Sequence, residues 1–152
     1  MHCMIIYGQA GENNYMEQKM KNLELIQGVI NRMANNSFLL KGWVVTLVVG
    51  ILALASKDTD KQYFWIAYIP ILMFWFLDAY YLQQERLYRS LYEKVRKTKN
   101  KDIDFSLKAT TKEFKNSKNN YFTVLFSFTE ILFYLPLAIV CTLAIKNVFC
   151  HC

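Results

Sequence analysis

Three apolar runs, Ser37–Ser56, Tyr63–Leu82 and Tyr121–Ile145, constrain this chain more than any other feature. A helix needs about 20 mostly apolar residues to cross the hydrocarbon core of a bilayer, and each run supplies them. The first run contains the charge Lys41, the second Asp78 and the third Glu130. A buried helix of a small soluble domain keeps a wet face. Phe74-Trp75-Phe76-Leu77 leaves no room for one. The expected fold is all-α: three transmembrane helices, an N-terminal amphipathic helix and a cytoplasmic helical extension of the second span. The alternative, three buried helices of a soluble domain, fits the pattern less well.

The boundaries follow from the pattern. Residues 1–36 form an N-terminal segment, 37–82 a transmembrane hairpin (37–56 and 63–82), 83–120 a basic region, 121–146 the third span and 147–152 a tail. Within the first segment, Met16, Met20, Leu23, Ile26, Ile30 and Met33 recur at threes and fours, an apolar stripe that must dock on something. Asn35-Asn36-Ser37 is expected to break or cap this helix before the first span. Residues 1–15 carry no periodicity. Gly11-Glu12 is encodable as a ribosome-binding sequence a few codons before Met16, so Met16 is expected to be the natural start. No cleavable signal pattern is visible.

Charge sets the orientation. Of 18 Lys and Arg, eleven lie between Arg86 and Lys118, while Lys57 and Lys61 are the only two between the first two spans. By the positive-inside rule the N-terminus and the 83–120 region face the cytoplasm, and the C-terminus faces outward. The expected location is a bacterial inner membrane. Span two opens with Tyr63, Phe64 and Trp65, an aromatic belt, and Pro70 is expected to kink it. Leu87, Leu91 and Val95 step by four beyond the membrane, so this helix should continue about 15–20 Å further before Thr98–Asn100 ends it. Leu107, Thr111 and Phe114 are spaced for a second short helix.

Catalytic chemistry finds no support. His2 and His151 are both terminal, and no nucleophile elbow, HExxH, phosphate loop or dinucleotide fingerprint is present. The expectation is that the chain is not an enzyme and needs no cofactor. Its four cysteines, Cys3, Cys141, Cys150 and Cys152, lack zinc-site spacing; Cys150-His151-Cys152 reads as a tail rather than a metal site.

The charges inside the spans say more. A charge at membrane depth is expensive and marks a cavity or a partner. At 1.5 Å per residue, Lys41, Asp78 and Glu130 lie roughly 6, 9 and 13 Å into the cytoplasmic half, close enough for one network. Thr123, Ser127, Glu130, Tyr134 and Cys141 share one face of span three. Several copies could line a pore with that stripe, and an acidic ring would favour cations. Alternatively, the stripe packs against spans one and two of the same copy. Gly42, Thr46 and Gly50, at intervals of four, allow close helix packing in lipid. The basic region has two readings as well. Arg86, Arg89, Lys94, Arg96 and Lys97, interleaved with Tyr88, Tyr92, Phe105, Phe114 and Tyr121, fit an anion site for a nucleotide or oligonucleotide. They also fit a topogenic loop beside anionic headgroups.

The strings Arg32-Met33-Ala34-Asn35-Asn36-Ser37-Phe38-Leu39-Leu40-Lys41-Gly42-Trp43 and Phe74-Trp75-Phe76-Leu77-Asp78-Ala79-Tyr80-Tyr81-Leu82-Gln83-Gln84-Glu85-Arg86 resemble small bacterial multi-span proteins. Those proteins are encoded beside nucleotide-signalling or TIR-type phage-defence genes. The resemblance spans residues 16–146. It implies a membrane effector that permeabilises the inner membrane in antiviral defence. The residues themselves add the expectation of an oligomeric pore or channel gated from the basic cytoplasmic region, with the lipid bilayer, further copies of the chain, and a nucleotide or oligonucleotide trigger or a soluble signalling protein as partners. The other function expected from the residues is a non-conducting anchor or scaffold that recruits a soluble partner through 83–120.

Overall fold

The computed structural model describes residues 2–55, 65–99, 102–114 and 119–150, with side chains described for 13–54, 65–99, 102–114 and 119–146. The 57–62 link and the side chains of Cys3, Cys150, His151 and Cys152 lie outside what is described. Among the described residues four helices follow in order: α1 His2–Ala55, α2 Tyr68–Lys97, α3 Tyr121–Leu125 and α4 Phe128–Cys150. Three of them are long and apolar enough to cross a membrane: α1, α2 and α4. Their outward faces carry Phe38, Trp43, Met73, Leu132 and Val140, all exposed, and Phe128 is 79% exposed. Surface this apolar on every side requires a non-aqueous surrounding.

α1 is a single helix of 54 residues, about 80 Å long at 1.5 Å per residue. Asn35-Asn36-Ser37 neither breaks nor caps it. The residues on either side of this triplet pack on the same partner, which outweighs the modest helix penalty of Asn and Ser. On one side, Ile26 and Ile30 join Leu91 and Val95 in a buried cluster. On the other, Val44 and Val48 cluster with Ala67, Ile71, Tyr134, Cys141 and Ile145. α1 and α2 therefore run antiparallel along almost all of α2. At the far end, Lys19 Nζ donates to the carbonyls of Arg96 (3.2 Å) and Thr98 (2.7 Å), where a helix C-terminus attracts a cation.

α2 spans 30 residues and carries the membrane segment and its extension without interruption. It stops at Thr98, whose N–H and hydroxyl both donate to the Lys94 carbonyl. Pro70 lies in the first turn of α2, where a missing N–H costs nothing, so it does not kink the middle of the span. The short helix expected around Leu107–Phe114 is absent; 103–110 has no regular structure and 111–113 is a turn. Ile103, Ala109 and Phe114 instead pack against the Ile26–Leu91 cluster, and that contact overrides the weak local periodicity.

The third apolar run is not one helix. α3 ends at Leu125, Phe126 and Ser127 leave helical geometry, and α4 begins at Phe128. The segment Thr123–Thr129 is rich in aromatic and β-branched residues, poor helix formers that make a break inexpensive.

Candidate functional site: a buried charge cluster between three helices

Lys41 of α1, Asp78 of α2 and Glu130 of α4 meet in one place. Lys41 Nζ donates to Asp78 Oδ2 and, at 3.1 Å, to Ser37 Oγ one turn earlier. Glu130 Oε1 lies 3.7 Å from the same nitrogen. The Tyr134 hydroxyl donates to Asp78 Oδ2 at 3.2 Å. The Phe133 ring lies under the ammonium, 5.7 Å from centroid to nitrogen. Both carboxyl side chains are 0% exposed, while Lys41 keeps 20%. The three meet because Lys41 lies about four turns before the end of α1, Asp78 about three turns into α2 and Glu130 in the first turn of α4, matching levels of the antiparallel bundle.

The polar stripe of the third run is divided by this packing. Glu130, Tyr134 and Cys141 are buried within one copy. Ser127 is half-buried, at the helix break, and Thr123 is exposed on α3. The break between Leu125 and Phe128 shifts Thr123 out of register with α4. The three buried members turn toward α1 and α2, so a lumen between copies would not be lined by them in this arrangement.

Two side chains hold the break together: Trp75, to which no sequence pattern assigns a role, and Tyr121, expected instead among the aromatics of the basic region. Trp75 Nε1 donates to the Leu125 carbonyl at 3.1 Å, and Tyr121 donates to the Phe76 carbonyl at 2.9 Å. The Trp75 ring stacks on Tyr134 and meets Phe126 edge-on. Irregular backbone at membrane depth persists only where such partners satisfy it. A Trp in mid-span, away from the interfacial belts, was the available signal, because a buried indole N–H requires an acceptor.

Gly42, Thr46 and Gly50 do not pack within the copy. All three are exposed. A Cβ added at Gly42 or Gly50 would meet nothing within 4 Å. The close approach their spacing allows is unused by α2 and α4.

The basic region is assembled as a mixed-charge surface. Arg89 pairs with Glu85 (2.6 Å), Lys94 with Glu113 (2.6 Å), and Arg96 and Lys97 with Glu93 (2.8 and 3.9 Å). Glu113 holds the Lys94 ammonium above its usual range, through the hydrogen bond first and charge second. Arg86 is half-buried and already engaged. Tyr88, Tyr92 and Phe114 pack on the Ile26–Leu91 cluster instead of forming a stacking platform; Phe105 alone of the five aromatics is strongly exposed. A cavity of about 340 Å³ opens between α2 and the 102–114 segment, with Lys94, Asp102, Asp104 and Lys108 among its walls. Among the described residues, no group of three His, Cys, Asp or Glu side chains is placed to hold a metal ion.

No family model, characterised protein or solved structure matches this chain.

Proposed function

We propose that the chain is an oligomeric membrane protein that alters the cation permeability of the bilayer it spans, under control of its extramembrane helical unit. The observation that carries this reading is the Lys41–Asp78–Glu130 cluster. A helical anchor has no use for three ionisable side chains at membrane depth, and apolar side chains of the same size would be cheaper there. Oligomerisation rests on the Gly42–Thr46–Gly50 face, which offers a second copy the close approach that this copy leaves unused. With Glu130 fully enclosed, the described arrangement is a closed one. Opening requires α4 to move against α1 and α2, with Phe126–Ser127 as the hinge. The setting, antiviral defence at a bacterial inner membrane with a cytoplasmic N-terminus, rests on the resemblance of the two strings and on the distribution of Lys and Arg. A nucleotide trigger would have to displace Glu85, Glu93 or Glu113 from the basic side chains they occupy.

One observation favours a second reading, a scaffold that recruits a soluble partner. The extramembrane unit has its own buried cluster, and Arg89, Lys94 and Arg96 are already paired with carboxylates, which suits a protein surface better than a polyanion. Release of potassium from liposomes loaded with it separates the two. The conducting reading expects release from wild type and less from Glu130→Gln inserted to the same level. Release from neither protein would favour the scaffold.

A further inference from the structure

The charge cluster contains two carboxylates in direct reach of one ammonium, and its oxygens are incompletely satisfied. Among the described residues, neither Glu130 Oε1 nor Oε2 has a hydrogen-bond partner, and the same holds for Asp78 Oδ1 and Ser127 Oγ. All four atoms are buried, on side chains from α2, from α4 and from the turn that starts α4. The groups facing Glu130 are Lys41 from α1, Asp78 from α2, and Tyr134 from α4 itself. Arg86, two turns further along α2 than Asp78, adds a weaker positive influence. Tyr134 spends its proton on Asp78, and Lys41 spends two of its three on Ser37 and Asp78. The remaining Lys41 proton sits on a nitrogen 3.7 Å from Glu130 Oε1, so Glu130 has no donor within hydrogen-bond distance among the described residues, and a bare carboxylate in a site of this kind is strongly disfavoured.

We propose that the cluster is a proton-binding site inside the membrane, holding one proton at neutral pH, carried by Glu130. A proton meets both deficits at once. It cancels the negative charge that Lys41 leaves uncompensated, and it converts Glu130 into a donor able to serve an orphaned oxygen of Asp78 or Ser127. A metal cation would supply charge but no donor, and it would stand beside the Lys41 ammonium. Two carboxyls and one ammonium therefore bind the proton as a unit, in the manner of like charges that cannot both ionise at close range. The site exists whether or not the chain conducts.

The charge count makes the test quantitative. Infrared spectroscopy of the full chain in lipid, without sodium, reads the carbonyl stretch of a protonated carboxylic acid. Wild type should show one such band at neutral pH, lost on raising the pH. Glu130→Gln should abolish it. Asp78→Asn should abolish it too, because Lys41 then neutralises Glu130 as an ionised pair. Lys41→Met should double it, since neither acid retains a counter-charge. A wild type without the band at neutral pH would overturn the proposal, and this arm needs no variant to fold. So would a band that survives in Glu130→Gln, or one that disappears when sodium is added at constant pH, which would make the ligand a metal cation.

Discussion

The indole nitrogen of Trp75 donates to the carbonyl oxygen of Leu125 at 3.1 Å, at the point where the third apolar run ceases to be a helix. This bond lets a broken helix exist among apolar surroundings, and the break brings Glu130 into the first turn of α4, beside Lys41.

Trp75→Phe keeps an aromatic ring but removes the donor. The Leu125 carbonyl then loses its partner, at a cost of about 1–3 kcal/mol. Unfolding by titration with a denaturing detergent should show this loss. A variant as stable as wild type would mean that the break needs no support from α2.

Lys41→Met removes the counter-charge of buried Asp78, beside a Glu130 that already holds a proton. Removing one partner of a buried ion cluster costs about 3–5 kcal/mol. The cost should shrink as pH falls, because protonation of Asp78 then comes more easily. The triple change Lys41→Met, Asp78→Asn, Glu130→Gln should recover most of the stability, since no charge remains to be compensated. The same detergent titration, run on both proteins, checks this. Equal stability of single and triple variants would contradict it.

The spans, their order and the level of the three charges were legible because lipid imposes a length and an apolarity that the sequence displays directly. The extension of α2 was legible for a similar reason: Leu87, Leu91 and Val95 repeat at helical spacing and all three are buried. What escaped depends on partners. Whether Asn35-Asn36-Ser37 interrupts a helix is decided by α2 packing on both sides of it. The end of α3 depends on one indole, and the direction of the Glu130–Tyr134–Cys141 face depends on which helices stand opposite. Sequence showed the basic residues of 86–97 as a cluster, but Glu85 and Glu93 engage them from neighbouring turns and Glu113 from another segment. Counting charge along a chain does not reveal that pairing.

The extramembrane unit should be a separable source of stability. Ile26 is fully buried between α1 and α2. Ile26→Ala should cost about 2–5 kcal/mol through lost burial and the cavity left behind. Hydrogen exchange should then accelerate in 13–35 and 85–97 while the membrane segments keep their protection. Uniform loss of protection would show one cooperative unit instead.

Gly42→Ile and Gly50→Ile test the association face. The Cβ of each new side chain enters open space in the single copy, so folding should be retained. Close approach of a second α1 would be blocked. The mass of the detergent-solubilised protein, by light scattering, should fall to that of a smaller assembly. An unchanged mass would move the interface elsewhere.

Planar-bilayer recording of the reconstituted full chain tests the central claim most directly. The account predicts cation-selective currents from wild type at a pH where Glu130 has released its proton, and smaller or less selective currents from Glu130→Gln, because the ionised acid at membrane depth is lost while the side-chain shape remains. Identical currents and reversal potentials from the two proteins would contradict a role for Glu130 in cation passage. Silence from both would contradict the conducting function itself.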